Sequence, residues 1–548
     1  MKSIIHNNNN KYSFLLLSCA LILSICMLLF KTNHPVSWPS TANLPVVINM
    51  INPSMLSEDF YTQSSFDSPT IIFQKLLFYI SNLFNIDPIK AMVYLGGVVT
   101  MSYIPLFFLI IHKGLNNKIL QLNFKEQYIK VIPMISLGLT FCVFIILLLS
   151  QNKINKFFTI MSWPPIFINP SSFIVSMLLG LSAAVLSINK KYTRSLLITI
   201  SCLIHPSMGL FTAIFSFLLI NNFCSKDITL KNISTFFLPV IGVYFFMLIY
   251  YSQDILNAHD FIEIYIYQRH PHHYLISKNL QITQWILLIA LLFIETILLV
   301  YTKNKLWINS ILALVLLLFI PPIHYFFTEI FEIKPLAIIG LPRFFTFAFF
   351  LVIFFGLACT LSLLNRFNKG QLIAKKILPF LRFRALDTCK AFTIILLLTI
   401  CSLLNYIHKE SSFIDTFIVE FNEKYQNILN KISNSSVVLA LDVDNFDFGL
   451  YGKKNLYSSE AFPFSELRFR EYAERRKIYE SCDKELSIKS LILAKSKYKL
   501  NFVLMKKQRL FSLPGALPVA ETDNYVLINV DEYLNNKKLP KENQQQNL

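Results

Sequence analysis

The chain has 548 residues, of which 54% are hydrophobic, 51 are Phe and only 15% are charged. That composition, with a mean hydropathy of +0.52 and repeated apolar runs of membrane length, excludes an ordinary soluble enzyme and points to a mainly α, polytopic membrane protein. The net charge of +18 does not call for nucleic acid, because cytoplasmic loops of such proteins retain Lys and Arg.

Taken in order, the first predicted span is Ser13–Phe30, behind a tail carrying Lys2 and Lys11 that places the N-terminus inside. Leu16-Leu17-Ser18-Cys19 loosely resembles a lipoprotein cleavage box, but the apolar run continues through Phe30, which reads as an uncleaved signal anchor. A long external loop follows, with Glu58, Asp59, Asp67 and Asp87; its second half, Ile71–Phe84, is amphipathic and is expected to lie on the surface. Further spans are expected at Met92–His112, Val131–Ser150 and Ser172–Ile188. The next stretch, Ser195–Asn222, has His205-Pro206-Ser207-Met208-Gly209 at its middle, where proline breaks the helix and glycine allows a tight turn. Read as a short hairpin with His205 at its outer tip, it sends the polar segment Asp254–Thr283 to the outside. Its two arms are each shorter than a usual spanning helix.

Spans at Thr235–Tyr251, Trp285–Tyr301, Trp307–Tyr325, Phe344–Leu364 and Ala391–Ile407 complete the membrane part. With the hairpin, about 10 to 11 crossings result, and Lys and Arg gather in the loops assigned to the inside, Arg366–Lys390 most of all. Six cysteines (Cys19, Cys26, Cys142, Cys202, Cys359, Cys401) fall within apolar spans and read as small hydrophobes. Beyond the last span the composition changes. The division expected is a membrane domain over 1–408 with the external loop 31–91, a connector helix over 409–434, a small α/β domain over 435–534 and a disordered tail over 535–548. Strands are predicted at Ser436–Val443, Asn501–Met505 and Asn524–Val530, with a charged helix at Phe464–Glu480.

Rare ionisable residues in such a chain mark candidate chemistry. Four polar clusters share one face under this topology: Glu58 and Asp59; His205; Arg269 through Tyr274; and Glu329 through Arg343. Asp59, with Glu58, offers a carboxylate that could serve as general base toward an acceptor hydroxyl or hold a divalent cation. His270, His272 and His273 could ligate a transition metal. Pro271 and the adjacency of two histidines favour anion binding instead, with Arg269 as a bidentate fork for phosphate. Arg343 can pair with a lipid phosphate, and His205 can shape the floor of a cleft. No cofactor is demanded. No phosphate-cradling glycine loop, metalloprotease helix motif or Gly-x-Ser-x-Gly elbow occurs.

These motifs together resemble an uncharacterised family of bacterial inner-membrane proteins. They are Pro53 to Asp59, His205 to Gly209, the Arg269-to-Tyr274 loop, and Phe462-Pro463-Phe464 with Glu471-Tyr472 and Arg475/Arg476. The layout is similar to the GT-C glycosyltransferase superfamily. That resemblance implies a transferase of the bacterial inner membrane that moves a sugar from a polyprenyl-phosphate donor to a glycan or lipid acceptor on the periplasmic side. Asp59 and Glu58 would be the catalytic acids. Arg269, His270, His272, His273, Tyr274 and Arg343 would hold the donor phosphate, and the C-terminal α/β domain would be periplasmic. A polysaccharide polymerase or ligase, or a flippase of lipid-linked glycans, shares the same partners.

Overall fold

The structure is a computed structural model. It describes residues 17–26, 43–66, 71–120, 172–185, 191–220, 230–251, 256–269, 274–279, 307–366, 385–443, 445–457, 468–511, 513 and 515–537, with short pieces between 135–140 and 286–297. The predicted spans Val131–Ser150 and Trp285–Tyr301 lie largely outside these residues, as does the tail beyond 537. The chain divides into two units: Met1–His34 with Val93–His408, and Pro35–Met92 with Lys409–Leu548. The second unit resumes at Lys409. The external loop groups with the C-terminal domain, not with the helices that flank it in sequence.

The first unit is helical. Helices at Pro88–Leu120, Ser172–Val185, Leu230–Tyr251, Trp307–Tyr325 and Phe345–Arg366 match predicted spans, several of them extended at one end. Among the described residues, three helical windows are long and apolar enough to cross a membrane: Pro88–Leu115, Ser310–Ile330 and Thr393–Leu429. Large side chains such as Leu238, Ile241, Phe245 and Leu404 stay exposed, which points to membrane association. The last span and the connector, expected as separate elements, form one helix, Ala385–Leu429. No proline or glycine interrupts it, so nothing in its sequence stops the backbone bonds where the apolar face ends.

The segment around His205 is a hairpin. Its arms are Lys191–Ile204 and Pro206–Ile220. A Cβ on Gly209 would stand 2.5 Å from Cys202 Cα and 2.6 Å from Cys202 N. Residues seven apart on one helix are separated by about 10 Å along its axis, so the chain must reverse between them. Small residues line the packing of both arms on Ser172–Val185: Ser176 Oγ donates to Ser201 O at 2.8 Å, and Gly180 faces Thr212. Such contacts let helices approach closely in an apolar medium. At the C-terminal end of Ser172–Val185, Lys113 Nζ donates to the carbonyls of Ala184 and Val185, each at 2.8 Å, and Arg194 Nε donates to Ala183 O at 3.3 Å. Cations there satisfy carbonyls that the helix leaves open.

The second unit holds a five-stranded sheet: β1 Val437–Ala440, β2 Asn455–Leu456, β3 Leu500–Lys506, β4 Pro518–Glu521 and β5 Tyr525–Asn529. Its order is β2-β1-β3-β5-β4. β1 runs parallel to both neighbours, and β5 is antiparallel to β3 and β4. β2 and β4 were not predicted. A two-residue strand has no readable alternation, and Pro518 demotes its run to an edge, where β4 indeed lies. Helices Phe469–Lys484 and Ile488–Tyr498 supply the crossover that parallel pairing needs. Leu439, Val503, Met505 and Ile528 pack with Cys482, Leu491 and Tyr498 into one core.

Candidate functional site

In the first unit, the segment predicted as a polar loop is mostly helical. Asn257 caps helix Ala258–Phe261 by accepting the Asp260 N–H at 2.7 Å. The helix then widens into a π-helix, Ile262–Arg269, a form that turns up often at functional sites. Tyr274 follows, 1% exposed. Its hydroxyl lies 3.2 Å from that of Tyr265. Its ring rests on Gly340, whose φ of +66° and 3.3 Å clearance favour glycine there.

A second segment grips the first at several points. His324, fully buried, bonds the Tyr274 carbonyl through Nε2 at 3.0 Å. A carbonyl can only accept, so Nε2 carries the proton and Nδ1 is left for the Thr328 hydroxyl at 3.2 Å. Glu329 Oε1 accepts the N–H groups of Ile276 at 2.7 Å and Ser277 at 3.3 Å, and Oε2 accepts the Ser277 hydroxyl. Lys334 Nζ donates to Leu256 O at 3.1 Å and sits over the Phe261 ring. His259 Nδ1 lies 3.0 Å from Glu332, which adopts a left-handed φ of +51°.

These contacts join two of the four predicted clusters, and the hairpin that carries His205 packs beside them through Phe211. Arg269 ends the π-helix, and Arg343 lies in the short 3-10 turn Leu341–Phe344, three residues beyond Gly340. Phe344, beside Arg343, packs on Phe211 of the hairpin with ring centroids 5.5 Å apart. Met208, Phe211, Ile276 and Phe344 share one buried cluster. His205 works on its own hairpin: Nδ1 faces the Met208 N–H at 3.5 Å, and its carbonyl accepts from Ser176 Oγ at 3.3 Å. The side chains of Arg269 and Arg343, and all of His270, His272 and His273, lie outside what the structure describes.

The His259 pair sets up a pH test. The hydrogen bond that His259 donates to Glu332, and then the Glu332 charge, raise the His259 pKa above the ordinary 6.5. The stabilisation this pair gives is therefore complete below the ordinary value and is lost as pH climbs through the raised one. Hydrogen exchange over 256–261, corrected for its intrinsic pH dependence, is expected to accelerate across that range. In Glu332→Gln it should show no such step.

The fourth cluster belongs to the second unit, where it meets the C-terminal domain. Leu44–Ile51 leads into a turn in which Leu56 is buried with a φ of +57°. Asn49 Nδ2 secures this turn by donating to Met55 O at 2.6 Å. Asp59 then caps helix Phe60–Ser65: Oδ2 accepts the Thr62 N–H at 2.8 Å. Its Oδ1 accepts the Leu456 N–H of β2 at 2.9 Å. Asp59 is 4% exposed. Burial pushes its carboxyl pKa up, opposed by the N–H groups of Leu456 and Thr62. A base needs a free lone pair within reach of a proton. Each oxygen here accepts one backbone N–H, so the carboxylate ties the loop to the sheet. Glu58 differs: its N–H donates to Asn455 Oδ1 at 3.2 Å, and its side chain meets Lys499 in the open at 3.3 Å.

Beside this tie, Arg475 is sandwiched among aromatic rings, its guanidinium 4.5 Å from the centroid of Phe60, 5.0 Å from Tyr457 and 4.2 Å from Tyr498. It donates to Tyr457 O at 2.6 Å and to Glu471 Oε1 at 2.8 and 3.0 Å. An open pocket of about 470 Å³ lies over it, lined by Glu58, Arg470, Glu471, Glu474, Arg475, Lys497, Tyr498 and Lys499. The Glu471/Arg475 spacing of four, legible in the sequence, is what lets the pair form along one helix face. The roles of His324 and Asn455 were missed. A histidine inside an apolar span was a usable signal for the first; nothing in the sequence flagged the second. Among the described residues, no group of three His, Cys, Asp or Glu side chains converges as a metal site.

Comparison with protein-family models, with curated proteins and with solved structures finds no match to this chain.

Proposed function

We propose that this chain is a multi-pass membrane glycosyltransferase that takes a sugar from a polyprenyl-phosphate-linked donor and passes it to a cell-envelope glycan or lipid acceptor on the periplasmic face of the bacterial inner membrane. The observation that supports this reading is the stitching of 256–269 and 274–279 onto 324–344 around buried Tyr274. Such bracing of an otherwise polar segment is what a preorganised site for a charged headgroup needs. In this proposal Arg269, Arg343 and the histidines 270, 272 and 273 hold the donor phosphate and stabilise it as it leaves. Glu58, which borders the pocket, is the accessible acid assigned to the acceptor hydroxyl. Asp59 positions the turn that carries it.

The test is transfer from radiolabelled polyprenyl-phosphate sugars by purified protein in lipid. Arg269→Ala is expected to weaken donor binding tenfold or more, since a charged hydrogen bond contributes about 1.5–3 kcal/mol. Glu58→Gln should slow transfer about 100-fold, the lower end of what general acid–base catalysis supplies, with donor binding unchanged. Failure of every such donor to bind removes the proposal and favours a transport or assembly role.

A further inference from the structure

The helix Ile71–Phe84 has two apolar faces, and the fold covers one of them. Phe73 and Leu77 are buried, flanked by buried Gln74 and Ser81. On the other side Ile72, Leu76, Tyr79 and Leu83 fall within about 60° of one another at 100° per residue. They are 36%, 36%, 65% and 79% exposed. The sequence alone suggested an amphipathic helix lying on the surface. A continuous apolar stripe left open to water is unfavourable and marks a contact surface.

Connectivity names the occupant. Only Asn85–Asp87 separate Phe84 from helix Pro88–Leu120, whose window Pro88–Leu115 is long and apolar enough to cross a membrane. Three residues reach about 10 Å at most, comparable with the headgroup layer of a bilayer. The end of the helix nearest that junction carries the most exposed side chains, Leu83 and Phe84 at 79% and 63%. Lys75 is exposed one step from the stripe, where its ammonium can reach lipid phosphates while its stem lies along apolar surface. Tyr79 suits the same boundary, its ring apolar and its hydroxyl wet.

We propose that the Ile72–Leu76–Tyr79–Leu83 face is an in-plane membrane anchor, seated at the boundary between headgroups and acyl chains. The proposal rests on reading Pro88–Leu120 as a membrane span, and the experiment separates the two. A fluorescent amino acid is introduced singly in place of Leu83, Asn82 or Val98 of the full chain, reconstituted in phosphatidylcholine–phosphatidylglycerol vesicles. Val98 is an exposed residue of the span. The anchor predicts that the probe at 83 is quenched by lipids carrying a shallow quencher and shielded at least threefold from aqueous iodide relative to the probe at 82. The probe at 98 is quenched by a deep quencher. Iodide access at 83 with lipid quenching kept at 98 overturns the anchor and leaves the span standing. Loss of lipid quenching at both overturns the span reading, and the anchor with it. Self-quenching at 83 that grows with protein density, without lipid quenching, assigns the stripe to a second copy and also overturns the proposal.

Discussion

Replacing Asp59 with alanine is expected to destabilise the second unit by about 2–4 kcal/mol. The change removes a helix cap, typically worth about 1 kcal/mol. It also leaves the buried N–H of Leu456 without an acceptor, at about 1–3 kcal/mol. Thermal unfolding should begin earlier, and limited proteolysis should cut within 52–66. Asp59→Asn should lose less, because its amide oxygen still accepts one N–H while its NH2 opposes the other. An Asp59→Asn protein as stable as the native chain, yet unable to transfer sugar, would restore the general-base role to this residue.

The second large effect is at the hairpin. Gly209→Val should cost about 3 kcal/mol or more, at or above the upper range for overpacking. The added carbons meet the backbone of Cys202, not a side chain that can swing away. Gly242→Val is the control, since nothing lies within 4 Å of a Cβ there, and it should stay within about 0.5 kcal/mol of native. Unfolding of the two variants in detergent gives the comparison. Equal stability would mean that the arms do not close on each other.

How much of this was legible beforehand depended on range. The apolar helices are written locally, residue by residue, so predicted spans such as Trp307–Tyr325 coincide with observed ones. The reversal at His205 was legible because Pro and Gly act on their own backbone. The three main strands could be seen as β-branched and aliphatic runs. What could not be read were pairings across long stretches of chain. Asp59 looks like a loop acid until Leu456 N, nearly four hundred residues away, is placed on it. Glu329 looks like an interfacial charge until it caps the turn at Ile276. The helix Ala385–Leu429 was divided in two because a change of composition was taken for a change of structure. Helical backbone bonds need no particular composition to continue, only the absence of a breaker.

The short strand β2 has a consequence for how the protein avoids sticking to itself. It is an outer strand of the sheet, and outer strands offer bare N–H groups as templates for aggregation. Here the Leu456 N–H is covered by a carboxylate made early in translation, on a turn that must wait for the rest of the chain before its partner exists. Until the late-made β2 reaches the waiting Asp59, that N–H is uncovered. Asp59 thus covers an edge N–H of the sheet, and the C-terminal domain needs the first loop at hand to close that position.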